Sequence, residues 1–490
     1  MLSGFVIHYN YCRLFRTGYA EALAKFSAAR FARLYPLFLF FLIFSFAADD
    51  TYLADHFDQA IGFYLTLTQS WFYRQINGHL LLLYTFGLSW SISTEMFFYL
   101  IYVLIVPVFA TLRSPRQALI GTIVFVLVAT AIFLLLADHV GNILHTADRI
   151  FPDYVSIESN FRDSFYRWLF YFSPYIRVFE FIAGCFAAQL FLQLSDRKIT
   201  RAEWRLGQIV FWLSLCGLIA YGYFQRMGWP AAVARYGHFA SENFGCAPEI
   251  AALIFCVSRY DTVFSRWLGG WLLVTLGETS YSIYIVHTWT LKLFARGPMP
   301  ANTLTMFGGA LRFVLGILFT LIVSSATYRL IEVPSRRWLR HWSGILIERI
   351  FHNQKMMLPD WLTRIRAGWA TGVLGVLCLA AFCAAVQFSS PLLARYRPGM
   401  RVIEATYGWS CVDSKYLNTV KKGNATSSVR ETCNFTNQCE YLVDVARLND
   451  VAPDCGKDFT VTYKCTTEAA PVTAALPGEA NGNSVLLKCD

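Results

Sequence analysis

Apolar runs near or above the length of a bilayer span recur through most of this sequence. They fall at about 33–48, 80–109, 117–137, 168–194, 206–224, 247–258, 268–292, 304–331 and 367–389, with a shorter one at the N-terminus. A hydrocarbon core takes roughly 20 apolar residues per helix. Peptide groups inside it must all find internal partners, which leaves packed helices as the natural fold for such segments. The run 80–109 is too long for one straight span and is expected to kink or to carry a half-embedded lead-in. Composition agrees: 56% of the 490 residues are hydrophobic and 15% are charged, against about a quarter charged in soluble domains. Aromatic residues reach 17%, which suits belts at two membrane interfaces. The opening Met1-Leu2-Ser3-Gly4-Phe5 has no basic segment before it, so no cleavable signal peptide is expected.

The net charge of +10 is spread between the apolar runs, so lipid headgroups rather than nucleic acid are the expected partners. Arg13, Arg16, Lys25, Arg30 and Arg33 fill the first connection. Arg113 and Arg116, then Arg197, Lys198, Arg201 and Arg205, then Arg259 and Arg266, then Arg336, Arg337, Arg340, Arg349, Lys355, Arg364 and Arg366 fill alternate later ones. An intervening loop is acidic, with Asp49, Asp50, Asp55 and Asp58. The bias of basic loops toward the cytoplasm puts 335–366 inside, so a helix at 367–389 delivers the tail to the other side. The same parity makes the stub 1–12 descend from outside, which requires an external N-terminus or a preceding helix.

Cysteine usage gives the same topology from different residues. Seven of the 13 cysteines are scattered among apolar segments, where they read as small hydrophobes. Cys411, Cys433, Cys439, Cys455, Cys465 and Cys489 crowd into the tail. An even set in a short segment reads as a disulfide framework in an oxidising compartment, with fifteen possible pairings. The tail has neither a CxxC pair nor a histidine, so no metal is expected. Short alternating stretches such as Phe459-Thr460-Val461-Thr462-Tyr463 read as β-strands. The expected fold is therefore an all-α polytopic membrane bundle followed by a small disulfide-rich, β-rich extracytoplasmic domain.

Charges inside a bilayer are costly and mark candidate sites. Glu95 lies in Trp90-Ser91-Ile92-Ser93-Thr94-Glu95, within an apolar run. Arg177 and Glu180 sit three apart on one helix face, where they can pair. His287 closes Tyr281-Ser282-Ile283-Tyr284-Ile285-Val286-His287, and Glu332 and Pro334 close the last core helix. The alternative is that these charges neutralise one another and fix packing.

These motifs, in order, resemble the membrane acyltransferase-3 family over residues 2–338. Leu2-Ser3-Gly4-Phe5 is similar to its LSGF helix, Arg30-Phe31-Ala32-Arg33-Leu34-Tyr35-Pro36 to its RxxR followed by proline, and Trp90 to Tyr99 to its WSLSxE…FY segment. Arg177…Glu180-Phe181…Gly184 is similar to RxxEF…G, Tyr281 to His287 to SYSLYLxH, and Tyr328 to Pro334 to YRxIExP. The resemblance implies an enzyme in a bacterial inner membrane that moves an acyl group, often acetyl, from cytoplasmic acyl-CoA, a co-substrate rather than a bound cofactor. The acceptor it implies is a glycan or lipid-linked saccharide outside. Arg30 and Arg33 would meet the donor phosphates, because guanidinium groups grip phosphate oxygens in pairs. Glu95 and His287 are the catalytic candidates. Trp90, Ser91, Arg177, Glu180, Tyr281, Ser282 and Tyr284 are candidate substrate contacts. The family also implies a helix ahead of the LSGF helix, carrying the histidine usually taken as base. This sequence opens after that point, so a truncated sequence or a coding start set downstream of it is expected rather than a true loss; His8 follows the motif and is not that residue by position.

Residues 401–466 resemble the rhamnose/galactose-binding lectins of the sea-urchin-egg-lectin type, through Ala405-Thr406-Tyr407-Gly408, Cys433-Asn434, Asn449-Asp450…Cys455 and Val461-Thr462-Tyr463-Lys464-Cys465. Phe435 and Val451 depart from that pattern. The likeness implies carbohydrate contacts at Tyr407 and Asp450. Asn424 and Asn434 open glycosylation sequons. The expected organisation is a helical domain at 1–338, a basic cytoplasmic linker at 339–366, one more transmembrane helix at 367–389 and the lectin-like domain at 390–490. Two other functions fit the residues: a membrane-anchored glycan-binding protein without activity, and a lipid or glycan transporter.

Overall fold

The structure is a computed structural model describing residues 1–16, 18–48, 60–76, 79–83, 86–151, 163–231, 233–241, 243–295, 306–351, 376–384, 400–411, 420, 422–433, 436, 438–448, 452, 455–465 and 470–489. The chain forms two compact units. One comprises Met1–Trp71, Thr85–Asp138 and Phe170–Leu379; the other comprises Phe72–Tyr84, His139–Leu169 and Ala380–Asp490.

The first unit is helical. Its main elements are α1 (Leu2–Tyr11), α2 (Tyr19–Ala48), α3 (Ser89–Phe109), the part up to Asp138 of α4 (Pro115–Ile150), α5 (Pro174–Leu194), α6 (Arg201–Met227), α7 (Ala247–Arg259), α8 (Trp271–Glu278), α9 (Ser280–Ala295), α10 (Met306–Thr327) and α11 (Val333–Phe351). Among the described residues six helical segments are long and apolar enough to cross a membrane: Tyr19–Ser45, Ser89–Phe109, Pro115–Ala147, Phe165–Leu194, Arg201–Met227 and Leu311–Phe351. This is a multi-pass membrane protein. The apolar run at 247–258 yields a helix of only 13 residues, about 20 Å at 1.5 Å per residue, short of a core of roughly 30 Å. The run at 268–292 is broken at Thr279, between α8 and α9. The long run at 80–109 breaks as expected: a 3-10 turn occupies Leu81–Leu83 and the helix starts only at Ser89.

Local chemistry sets the ends. The Thr200 side chain caps α6 by accepting from the Glu203 N–H, and Pro174 opens α5 at a position where a missing N–H costs nothing. Two π-helical turns, at Trp168–Phe172 and Tyr328–Glu332, sit beside segments the sequence singled out, as such turns often do. α1 and α3 pack on α5, α11 on α2, and α9 on α10.

In the second unit, Gln75–Ile76 and His79–Leu80 (β1 and β2) form a short antiparallel hairpin. The Asp163 carboxylate accepts from the Leu80 N–H at 2.8 Å. The tail carries β3 (Arg401–Tyr407), β4 (Gln438–Leu442), β5 (Phe459–Lys464), β6 (Val472–Leu476) and β7 (Ser484–Lys488). Strand order is β3-β5-β6 in one sheet and β4-β7 in another. A helix at Thr426–Cys433 packs on β3 and β4. Disulfides join Cys411 to Cys455, Cys433 to Cys439 and Cys465 to Cys489. So small a core gains much of its stability from such staples. α11 runs through the 338/339 boundary to Phe351, and residues 376–384 are helical; 352–375 and 385–389, about half of the linker and more than half of the last span, lie outside the described residues.

Candidate active site

The WSISTE segment opens α3 and uses helical spacing to present two faces. Ser89 and Ser93, four apart, turn toward the buried residues Gln69, Ser70 and Trp71. The Gln69 amide donates to the Ser89 carbonyl and hydroxyl, each at 3.1 Å. Ser70 donates to Ser93 Oγ through its backbone at 3.1 Å and its hydroxyl at 2.9 Å, and Trp71 Nε1 donates to the Ser93 carbonyl at 3.0 Å. Ser91 and Glu95, also four apart, turn the other way and line a cavity of about 840 Å³. Residues three or four apart share a helix face, so one motif both anchors the helix and equips the cavity.

Six helices supply the cavity wall, with Val274, Gly277 and Glu278 coming from α8. Leu2, Ser3 and Val6 come from α1, Arg30 and Arg33 from α2, Ser91 and Glu95 from α3, Tyr281 and Tyr284 from α9, and Arg336 from α11. Glu95 Oε1 accepts from Ser3 Oγ at 3.0 Å and from the Tyr99 hydroxyl at 2.8 Å. Among the described residues its second oxygen carries no hydrogen bond. Arg30 is 7% exposed. It donates to the Tyr11 hydroxyl at 2.6 Å and lies over the Tyr11 ring at 4.7 Å and the Tyr99 ring at 5.8 Å. Its buried Nε has no partner among the described residues, which is costly for a charged group unless something else occupies the site. Ser91 Oγ donates to the Tyr284 hydroxyl at 2.7 Å, which donates to the Leu88 carbonyl at 3.0 Å. The Tyr281 hydroxyl is committed to the Leu34 carbonyl at 2.7 Å and braces α9 on α2.

The remaining sequence candidates lie off the cavity wall. Arg177 and Glu180 pair at 2.8 Å as their spacing allowed, and Arg177 also donates to the Tyr171 carbonyl. Trp90 packs against Tyr171 and Phe172. Ser282 is buried and donates to Glu332 Oε2 at 2.8 Å. His287 Nδ1 is 2.7 Å from the Tyr284 carbonyl; a carbonyl only accepts, so that nitrogen carries the proton. His8 is buried against Gln189 Oε1 at 2.8 Å, within the helix packing. Sequence reasoning passed over Ser3 and Arg336 as site residues: Ser3 stood inside a quoted motif, and Arg336 was one of many arginines marking a cytoplasmic loop.

The cavity joins three guanidinium groups to two carboxylates, Glu278 of α8 and Glu95 with its free oxygen, and most of its wall comes from segments that resembled acyltransferase motifs. The acyltransferase-3 model, described as an acyltransferase domain, matches residues 1–329. The chain belongs to the acyltransferase-3 family. No curated protein and no solved structure matches it. The family match ends before the tail. There, Tyr407 is 2% exposed and its ring belongs to the domain core, while Asp450 and Asn434 lie outside the described residues. The Asn424 amide exchanges two 2.8 Å hydrogen bonds with the Tyr407 backbone, so a glycan on its nitrogen would compete with the fold.

Proposed function

We propose that this family member is an O-acyltransferase that takes an acyl group, acetyl in the simplest case, from cytoplasmic acyl-CoA and places it on a hydroxyl of a surface or exported glycan. The observation that carries this reading is the shared cavity of Arg30, Arg33 and Glu95. Its volume falls within the range of small-molecule sites. Guanidinium groups suit the donor's phosphates, and the unpartnered Nε of Arg30 gives a buried donor for an anion.

The chemistry asks for a base and a polar lining. Glu95 takes the proton of the acceptor hydroxyl; its oxygen attacks the thioester carbonyl; the carbon–sulfur bond breaks; and the proton passes to the leaving thiolate. Ser3 and Tyr99, both donating to one Glu95 oxygen, hold the carboxylate so that its other oxygen faces the reactants. The Ser91 and Tyr284 hydroxyls at the cavity wall orient the acyl group or the acceptor. The disulfide-stapled tail, by its sequence likeness to sugar-binding domains, would hold the saccharide at the outer mouth and raise its local concentration.

Membranes bearing the chain, given radiolabelled acetyl-CoA and surface glycan, test this. Labelled glycan that disappears with Glu95→Gln supports the reading. Unchanged glycan acylation in cells lacking the protein would sink it.

A further inference from the structure

Beyond the pair Arg30 and Arg33, we infer that Arg336 is a third ligand for a donor phosphate, held ready by the buried carboxylate of Glu332. The inference rests on the proposed acyl-CoA reading. Arg336 lines the same cavity as Arg30, Arg33 and Glu95 although it comes from α11, outside the matched family segment. One of its guanidinium nitrogens is 3.8 Å from Glu332 Oε1, and the two side chains are 26% and 2% exposed.

A carboxylate that deeply buried needs partners. Glu332 has the Ser282 hydroxyl on Oε2 at 2.8 Å and Arg336 on Oε1, four residues on, in the order that favours a helical ion pair. Ser282 comes from α9, so the contact ties two helices and fixes the carboxylate. The π-helical turn Tyr328–Glu332 widens the helix just before α11. Both Tyr328 and Arg336, on either side of Glu332, line the cavity.

At 3.8 Å the pair is longer than the tight charge-assisted bonds that saturate a guanidinium. Several Arg336 N–H groups stay available to the cavity. The arrangement thus separates two tasks: Glu332 aims the side chain, and the remaining donors meet a phosphate oxygen. Three arginines in one cavity match the three phosphate groups of coenzyme A, whereas a phosphate-free thioester would leave all of them unused.

The test compares acetyl-CoA, acetyl-dephospho-CoA and acetyl-pantetheine as donors for the full chain in membranes. Wild type should favour acetyl-CoA. Arg336→Gln should raise KM for acetyl-CoA about tenfold to a hundredfold while leaving kcat and the use of acetyl-pantetheine near wild type, and Arg336→Lys should recover part of the loss. Glu332→Gln should shift the same ratio in the same direction, by less. The step of the donor series at which Arg336→Gln loses its handicap names the phosphate. A parallel fall with all donors, or no fall in either Arg336 variant, overturns the role. Equal use of all donors by wild type overturns the acyl-CoA reading itself.

Discussion

Gly4 of α1 and Gly184 of α5 sit in one helix crossing, each against the backbone of the other's helix. A side chain on Gly4 would meet the Phe181 carbonyl, and one on Gly184 would meet the Met1 carbonyl and the Phe5 N–H. Small residues at such crossings let backbones approach where water cannot drive association. The approach also sets the site, because Ser3 beside Gly4 reaches Glu95. Gly4→Ala and Gly184→Ala should each lose about 1–3 kcal/mol by overpacking, seen as a lower unfolding midpoint in detergent, and should weaken activity by pulling Ser3 away. Gly222→Ala on α6 is the control, since among the described residues nothing lies within 4 Å of where its Cβ would sit; it should be neutral or slightly stabilising.

Glu95 tests the chemistry. Glu95→Gln keeps the shape and still accepts from Ser3 and Tyr99, so the bundle should fold and run normally on size exclusion. Turnover should fall about 10²- to 10⁴-fold, the usual span for a lost acid–base group, with little change in KM for the donor. Retention of most of the wild-type kcat would demote Glu95 to packing. Ser3→Ala should cost less, because the Tyr99 hydroxyl at 2.8 Å still orients the carboxylate.

The spans were legible because hydropathy is a local property: the breaks at Leu81–Leu83 and Thr279 fall where runs were too long or interrupted by polar residues. The Arg177–Glu180 pair was legible for the same reason, being three residues apart. Tertiary relations were not. Gly4 and Gly184 are 180 residues apart, and Ser3 meets Glu95 across 92; no periodicity reports either. Arg336 was hidden by its company, since one arginine turned into a cavity looks in sequence like its solvated neighbours. Nor does the sequence report the surroundings of Tyr407: the motif that suggested a sugar contact closes β3, and the Tyr407 ring packs in the domain core.

The proposed topology, read from the alternation of basic connections, has the tail on the side opposite Arg340 and Arg349. Single cysteines introduced at Lys422, which is exposed, and at Arg349, also exposed, should therefore differ in intact cells. A membrane-impermeant maleimide should label Lys422→Cys without permeabilisation and Arg349→Cys only after it. Equal labelling of both in intact cells would collapse the proposed passage from an inner donor to an outer acceptor.

The three tail disulfides should differ in worth by the length of chain each closes. Cys411–Cys455 spans 44 residues, Cys465–Cys489 spans 24 and Cys433–Cys439 spans 6. Loop-closure entropy of the unfolded chain then ranks them at about 4, 3.5 and 2 kcal/mol. Paired cysteine-to-serine variants of the full chain should follow that order in resistance of the tail to limited proteolysis. The first pair has a further reason to matter. Cys411 and Cys455 tie down the small second core with Val420 and Ala452, separate from the larger core that buries Tyr407, Tyr441 and Phe459. Losing that bond should therefore open the 411–455 region to protease while β5 stays protected, whereas losing Cys465–Cys489 should free β7 from the Tyr463 hydroxyl, which donates to the Lys488 carbonyl. A reversed order would mean that native packing, and not the entropy of the unfolded chain, decides what each staple is worth.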